Sequence, residues 1–183
     1  MPGPGGEVTD TTLPVALVDA ARRVIDANRA AGRRIAVAES CTGGLVAAAL
    51  TEIPGSSEVL EAGFVTYSND AKQHLLGVSG DVLDTFGAVS IAVAWSMAQG
   101  ALAKSDADVA VAITGVAGPG GGSEKKPVGT VVFARAERDA DPSDVVADKR
   151  MFGDLGRGGV RLQAALCALD LLMPDTPPTD AEK

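Results

Sequence analysis

The run DVAVAIT at residues 108–114 constrains the fold more than any other stretch of the chain. After its first residue it is apolar at nearly every position, so both faces of the strand that it predicts must be covered. Strands of this kind occupy the middle of parallel sheets, where connecting helices pack on each side. The run therefore predicts a central strand, and the remainder of the chain must supply two layers of helices.

Segments with helical spacing do alternate with further strand-like segments. A first helix is predicted with its entry at Thr12 and Pro14 and its stop at Gly32. Further helices are predicted over residues 43–50, 69–77, 90–104 and 159–173, and Asn69 is the predicted N-cap of the helix at 69–77. The other strands are predicted at RRIAVAES (33–40), EAGFVTYS (61–68), VGTVVFARA (128–136) and SDVVADKRMF (143–152). This order predicts the α/β class, as a three-layer α/β/α sandwich with a mostly parallel central sheet.

The length of 183 residues suits a single domain. We place it at residues 13–173, between a flexible N-terminal segment (1–12) and a flexible C-terminal tail (174–183), because both ends are rich in Pro, Gly and polar residues. Apolar residues make up 46% of the chain and aromatic residues only 3%. The core must therefore be built from Ala, Val, Leu and Ile, which favours helices packed closely on the sheet.

Charge and composition exclude several classes of function. The net charge of −8 argues against non-specific binding to nucleic acid or to anionic membranes, both of which need clustered cations. No apolar run is long enough to span a membrane, and two distant cysteines make no disulfide framework, so a cytoplasmic protein is expected. Because His74 is the only histidine, a zinc or iron site of the usual kind is not predicted.

Three polar loops directly follow predicted strands: ESCTGG (39–44), TYSNDAK (66–72) and TGVAGPGGG (114–122). In sheets of this kind ligands bind at the carboxyl ends of the strands, so the three loops predict one shared cleft. Gly43 and Gly44 would bring backbone amides close to a ligand at the start of a helix, although they could equally form a tight turn. The 114–122 loop lacks the ending of a nucleotide P-loop, which leaves a ligand-covering loop or a plain hairpin.

Two pairs of residues could supply a nucleophile and its base. Cys41 would need His74, whereas Ser40 would need a stronger base such as Lys72. Lys72 and His74 are two residues apart on a short helix and point about 200° apart, so they can hardly serve the same cleft. Tyr67 near Lys72 favours the serine–lysine pair. Each residue also has an ordinary alternative role: Ser40 as a cap, Lys72 as a solvated lysine and Tyr67 as a packing residue.

Several motifs in one order resemble the CinA C-terminal domain family over about residues 14–172. They are AESCTGG, GFVTYSNDAK, the 87–90 segment GAVS, ITGVAGPGGGSEKKPVGTV and the pair Arg157 and Arg161. The known members of that family are nicotinamide-nucleotide amidohydrolases. The resemblance implies hydrolysis of the carboxamide of nicotinamide mononucleotide to nicotinate mononucleotide and ammonia, in pyridine-nucleotide recycling and without a metal or other cofactor. It also implies Ser40 as nucleophile, Lys72 as base and Tyr67 as the assisting residue.

The resemblance further implies a set of substrate-binding residues. Backbone amides near Thr42, Gly43 and Gly44 would stabilise an oxyanion, and Asn69 would contact the ligand. The phosphate would be held by Thr114, Gly115, Gly118, Arg157 and Arg161. The segment FGDLGRGGVR departs from the family pattern, with two more residues between its Gly-Asp and the first arginine. That insertion favours Arg161 over Arg157 as the phosphate ligand.

Two other functions remain open at this point. The fold could be a non-catalytic nucleotide-binding or partner-regulating module, or Cys41 could be the working group of an amidase or of a redox-responsive protein. A homo-oligomer is expected, with Trp95 as a possible contact. Many relatives carry an additional N-terminal domain that resembles molybdopterin-binding proteins, and its activity is not expected of this chain.

Overall fold

The structure is a computed structural model that describes residues 11–141 and 143–175. Six α-helices and five β-strands are present within these ranges. In chain order they are α1 (Val15–Ala30), β1 (Ile35–Glu39), α2 (Leu45–Thr51), β2 (Leu60–Val65), α3 (Asn69–Leu76), α4 (Gly80–Phe86), α5 (Ile91–Ala103), β3 (Val109–Gly115), β4 (Thr130–Glu137), β5 (Val146–Met151) and α6 (Gly156–Leu171). A single 3₁₀ turn, Ser56–Glu58, precedes β2.

The strands form one mixed sheet in the order β2-β1-β3-β4-β5. Strand β1 is parallel to both of its neighbours, β2 and β3. Strand β4 is antiparallel to β3 and to β5, so four of the five strands point the same way and β4 alone is reversed. The reversal follows from the connection, because the segment between β3 and β4 contains no crossover helix that could return the chain to the start of the sheet.

Helices cover both faces of the sheet, which confirms the predicted α/β/α sandwich. On one face α1, α2 and α6 pack on the larger side chains of β1 and β3, such as Ile35, Val37 and Val111. On the other face α5 packs on alanines, among them Ala36, Ala38, Ala110 and Ala112. The small side chains let α5 approach the sheet closely, as the aliphatic composition requires.

The helix and strand positions predicted from the sequence are found with small shifts, but the predicted cap of α3 was wrong and one helix was not predicted. The cap of α3 is Ser68, whose hydroxyl accepts the N–H of Ala71 at 3.0 Å, and Asn69 is the first residue of the helix instead. Helix α4 was not predicted, because Leu83 is its only buried residue and leaves no helical periodicity to detect. Helix α6 begins at Gly156, three residues before the predicted start.

Most of the two segments predicted to be flexible, 1–12 and 174–183, lies outside the described residues. Within the part of the chain that the structure describes, no helix combines the length and the apolarity needed to cross a membrane.

Candidate active site

The strand end of β1 places Ser40 opposite a lysine. Ser40 follows Glu39, the last residue of β1, and its N–H donates to the carbonyl of Ile113 at 2.9 Å, which extends the sheet by one residue. Its Oγ lies 3.1 Å from the Nζ of Lys72, which comes from α3 after the neighbouring strand β2. Two strand-end loops that are far apart in the sequence are thereby brought to hydrogen-bonding distance.

Lys72 has only 1% of its surface exposed, which is unusual because lysines are rarely fully buried. Its Nζ also donates to the carbonyl of Thr66 at 2.8 Å. No carboxylate within the described residues forms a salt bridge with this amine. Burial therefore disfavours the ammonium form and lowers the pKa of Lys72, an effect that Cys41 opposes in part.

The alternative pair of Cys41 and His74 does not meet. His74 is exposed, and its Nδ1 lies 2.8 Å from the carbonyl of Asp70, one turn earlier on α3. Cys41 is buried, and desolvation raises the pKa of its thiol to about 11; the hydrogen bond from its own N–H lowers that pKa in part, and the nearby Glu39 raises it further. A thiol of this kind stays protonated at neutral pH and is a weak nucleophile.

A cavity of about 290 Å³ opens beside Ser40 and Lys72. The predicted site residues among its lining are Ser40, Tyr67, Asn69, Lys72, Thr114, Gly115, Gly118 and Arg157. Cys41 and the apolar pair Ala88 and Val89 also line it. Four other predicted residues lie outside this lining. Thr42, Gly43 and Gly44 belong to the turn that carries Ser40, and Arg161 contacts that turn.

The amides of this turn are already partly engaged. The N–H of Gly43 donates to the carbonyl of Ser40 at 3.0 Å, and the N–H of Gly44 donates to the carboxylate of Glu39 at 3.0 Å. The N–H of Thr42 donates to no acceptor in the described part of the chain. Of the three residues that the sequence suggested for an oxyanion, Thr42 is thus the one whose amide has no acceptor within the described residues, and it is fully buried.

The two arginines of α6 donate hydrogen bonds to different partners. Arg157 donates to the carbonyl of Gly118 at 2.8 Å and to the hydroxyl of Tyr67 at 2.8 Å. Arg161 donates to the carbonyl of Thr42 at 2.8 Å, behind the turn. The sequence favoured Arg161 as the phosphate ligand, but the structure brings Arg157 to the cavity and places Arg161 outside its lining.

The end of β3 and the loop that follows it pack tightly against their neighbours. Thr114 donates its hydroxyl proton to the carbonyl of Ala88 at 2.8 Å, which fixes the apolar wall of the cavity. A Cβ on Gly115 would come within 2.8 Å of the Thr130 carbonyl, and one on Gly118 within 2.6 Å of Val128. Both glycines are thus explained by close packing as well as by their place in the lining.

Two residues near the pair were not identified from the sequence. The carbonyl of Thr66 orients Lys72, and no sequence signal could have shown it, because any residue has a carbonyl. Glu39 is fully buried and accepts three amide protons from the start of α2. Its signal was present: an acid ends the otherwise apolar strand IAVAE, directly before a glycine turn.

Within the described residues, no group of three or more His, Cys, Asp or Glu side chains could hold a metal ion.

These features define a class: an α/β/α protein with a serine and a buried lysine facing each other at the carboxyl ends of two adjacent parallel strands. The comparisons with known proteins narrow that class. Residues 18–175 match the CinA C-terminal domain, and the chain belongs to that family, as its motifs indicated.

Individual relatives agree with this placement. The nicotinamide-nucleotide amidohydrolase PncC of Enterobacter agglomerans is 53% identical over 142 residues, which are 77% of this chain and 84% of that protein. A CinA-like protein of Mycobacterium avium is 62% identical over 104 residues, 57% of this chain but 24% of that protein. The chain thus corresponds to only a quarter to a third of the length of several curated relatives.

Solved structures of relatives share the fold. The crystal structure of the competence/damage inducible protein CihA from Agrobacterium tumefaciens superposes with a TM-score of 0.84 at 49% identity, covering 88% of this chain and 96% of that one. A CinA superfamily protein from Escherichia coli gives a TM-score of 0.79 at 34% identity, covering 92% of this chain and 98% of that one.

Proposed function

We propose that this protein is a nicotinamide-nucleotide amidase, which hydrolyses the carboxamide of nicotinamide mononucleotide to nicotinate mononucleotide and ammonia. The observation that carries the proposal is the 3.1 Å approach of Lys72 to Ser40 in a chain that resembles an amidohydrolase over most of that relative's length. Such a reaction would act in pyridine-nucleotide recycling, since its product is the acid form of the same mononucleotide.

The first half of the reaction forms an acyl-enzyme. Neutral Lys72 takes the hydroxyl proton of Ser40 while Oγ attacks the carboxamide carbon, and the N–H of Thr42 donates to the oxyanion that develops. One such donor is typically worth roughly 3–4 kcal/mol in the transition state. The intermediate collapses, the carbon–nitrogen bond breaks, and the protonated Lys72 gives its proton to the departing ammonia. Tyr67 assists by orienting the leaving group or by relaying that proton.

The second half returns the free enzyme. Lys72, neutral again, takes a proton from a water molecule that attacks the ester of Ser40. The ester breaks, Ser40 recovers its proton from Lys72, and nicotinate mononucleotide leaves. An unactivated amide resists direct attack by water, so the covalent intermediate divides one difficult step into two easier ones.

The substrate phosphate lies, in this proposal, beside Arg157 and the 114–118 loop. Arg157 is the arginine among the cavity-lining residues, and a guanidinium can hold phosphate with two hydrogen bonds. Asn69 is not required as the cap of α3, so its amide is free to contact the ribose or the phosphate. Arg161 keeps a contact with the nucleophile turn.

One assay tests the proposal. Purified protein mixed with nicotinamide mononucleotide should release ammonia, and Ser40→Ala and Lys72→Ala should still bind the mononucleotide but release almost none. If the wild type binds the mononucleotide and releases no ammonia, the protein is the non-catalytic module instead. If Cys41→Ala is the inactive variant and Ser40→Ala is active, the thiol is the nucleophile.

A homo-oligomer and a cytoplasmic location stay predictions. A second cavity of about 520 Å³ is lined largely by apolar side chains, including Phe86, Ile91 and Trp95. We propose this groove as the contact between copies of the chain, which sedimentation of the wild type and of Trp95→Ala would test.

A further inference from the structure

We propose that Glu39 is a positioning residue that fixes the nucleophile Ser40 relative to Lys72. The proposal rests on the amidase function above for its kinetic consequences, but its structural content can be tested without that function. It concerns a residue to which neither the family motifs nor the relatives assign a role here.

The side chain of Glu39 links the start of the turn that carries Ser40 to the end of the same turn. It leaves β1 on the face covered by α2, and its carboxylate accepts the N–H groups of Gly44 at 3.0 Å, Val46 at 3.1 Å and Ala47 at 2.8 Å. Ser40 lies between these anchor points, one residue after Glu39 and four before Gly44. The backbone that carries the Ser40 hydroxyl is thus held at both ends by the same carboxylate.

This carboxylate replaces an ordinary helix cap. The N-cap position of α2 is Gly44, which has a φ of 93° and no side chain to accept the first amides of the helix. Without Glu39 those N–H groups would be unpaired in a buried or partly buried place, at a cost for each. Because Glu39 is fully buried and has no cation in salt-bridge contact within the described residues, its charge is balanced by the amides and dipole of α2.

The same residue is connected to the base. The carbonyl of Glu39 accepts the N–H of Thr66 at 2.8 Å, and the carbonyl of Thr66 accepts from the Nζ of Lys72 at 2.8 Å. One residue therefore holds the nucleophile through its side chain and the support of the lysine through its backbone. A displacement of about 1 Å between reacting groups can reduce a rate 100-fold, so this clamp has catalytic consequences as well as structural ones.

The positive end of α2 is consequently directed to Glu39 and not to the cavity. The sequence suggested that the amides of Gly43 and Gly44 would offer this helix terminus to a ligand. In the structure, the amides of Gly44, Val46 and Ala47 donate to Glu39 inside the protein instead.

The test compares Glu39→Gln with two controls. Glutamine has nearly the same shape but one acceptor oxygen, and it presents an NH₂ group to the amides. Glu58→Gln makes the same change at an exposed carboxylate, and Val46→Ala removes buried side-chain packing from α2 while keeping the backbone amides that donate to Glu39. We expect Glu39→Gln to lower kcat at least about 10-fold and to change KM by no more than about twofold. If Val46→Ala lowers Tm by the same amount as Glu39→Gln, we expect its kcat to stay within about twofold of the wild type. Glu58→Gln should match the wild type.

Two measurements are independent of turnover. In a crystal structure of Glu39→Gln, the Ser40 Oγ to Lys72 Nζ distance should exceed 3.1 Å, the value of the native chain. In the wild type, the amides of Gly44, Val46 and Ala47 should exchange slowly with deuterium although they begin a helix, and this holds even if Glu39→Gln does not fold. Three outcomes would each overturn the proposal. The first is a Glu39→Gln variant with an unchanged distance and a kcat within twofold of the wild type. The others are rapid exchange of these amides and a kcat loss in Val46→Ala equal to that in Glu39→Gln. A wild type that releases no ammonia overturns the amidase function only, since distance and exchange still decide the role of Glu39.

Discussion

The amine of Lys72 lies 3.1 Å from the hydroxyl of Ser40, and the lysine is buried without a carboxylate in salt-bridge contact within the described residues. A lysine that served only as a charged structural anchor would be expected to have such a partner. The arrangement favours the neutral amine, which keeps one N–H directed to the carbonyl of Thr66 and can turn its lone pair to Ser40. The predictions below depend on that relationship or on the packing that creates it.

The rate of ammonia release should rise with pH and then level off. Burial lowers the pKa of Lys72, and only the neutral amine can accept the Ser40 proton, so activity increases as pH rises through this lowered pKa. A pH profile of kcat/KM checks this, and Cys41→Ala should retain the same rise with pH. A rate that is flat from about pH 6 to 10 would exclude lysine as the base.

Lys72→Met should raise the stability of the protein, most strongly at low pH. In the native chain the pKa of Lys72 is lowered from 10.5, so the unfolded state binds more protons than the native state at pH values between the two. The stability of the wild type therefore increases with pH in that window, by up to about 1.4 kcal/mol for each pH unit. Chemical denaturation of both proteins from about pH 5 to 10 would show the difference shrinking as pH rises. A difference that grows with pH would mean that the ammonium form is stabilised in the native protein.

Arg157→Ala should impair the phosphorylated substrate selectively. Because Arg157 faces the cavity, its loss should raise KM for nicotinamide mononucleotide by about 10-fold or more and leave kinetics with the phosphate-free riboside nearly unchanged. Arg161→Ala is the comparison, since Arg161 contacts the carbonyl of Thr42. It should lower kcat for both substrates to a similar extent. The opposite pattern would return the phosphate to Arg161, as the sequence suggested.

Gly100→Ala should destabilise the protein and weaken the active site together. A Cβ on Gly100, in α5, would lie 2.0 Å from the carbonyl oxygen of Leu76 at the end of α3, and α3 carries Lys72. We expect a loss of at least about 2 kcal/mol in the free energy of unfolding and a lower kcat. Gly158→Ala in α6 is the matched control, because nothing lies within 4 Å of its Cβ. It should stabilise the helix by about 0.5–1 kcal/mol with activity retained.

The sequence predicted the architecture because its signals are local. Apolar strands such as DVAVAIT, and helical spacing in segments such as 90–104, reflect burial on the two sides of a sheet and can be recognised without coordinates. Helix α4 escaped detection for the same reason, since a helix with one buried side chain has no periodicity. Asn69 and Ser68 are both capping residue types, and only the backbone geometry distinguishes which of them accepts the amide.

For the candidate site, the sequence alone determined which residue types are present, and the tertiary structure decided which of them meet. Ser40 and Lys72 are separated by 31 intervening residues, and their contact depends on β1 and β2 lying side by side in parallel. The different positions of Arg157, which lines the cavity, and Arg161, which contacts the carbonyl of Thr42, depend on where α6 begins and which way it faces. Glu39 shows the limit most clearly: its charge is visible in the sequence, but its three amide partners exist only because α2 folds back onto the end of β1. Local patterns follow from the preferences of neighbouring residues, whereas a site is assembled by the packing of segments that have no contact until the chain has folded.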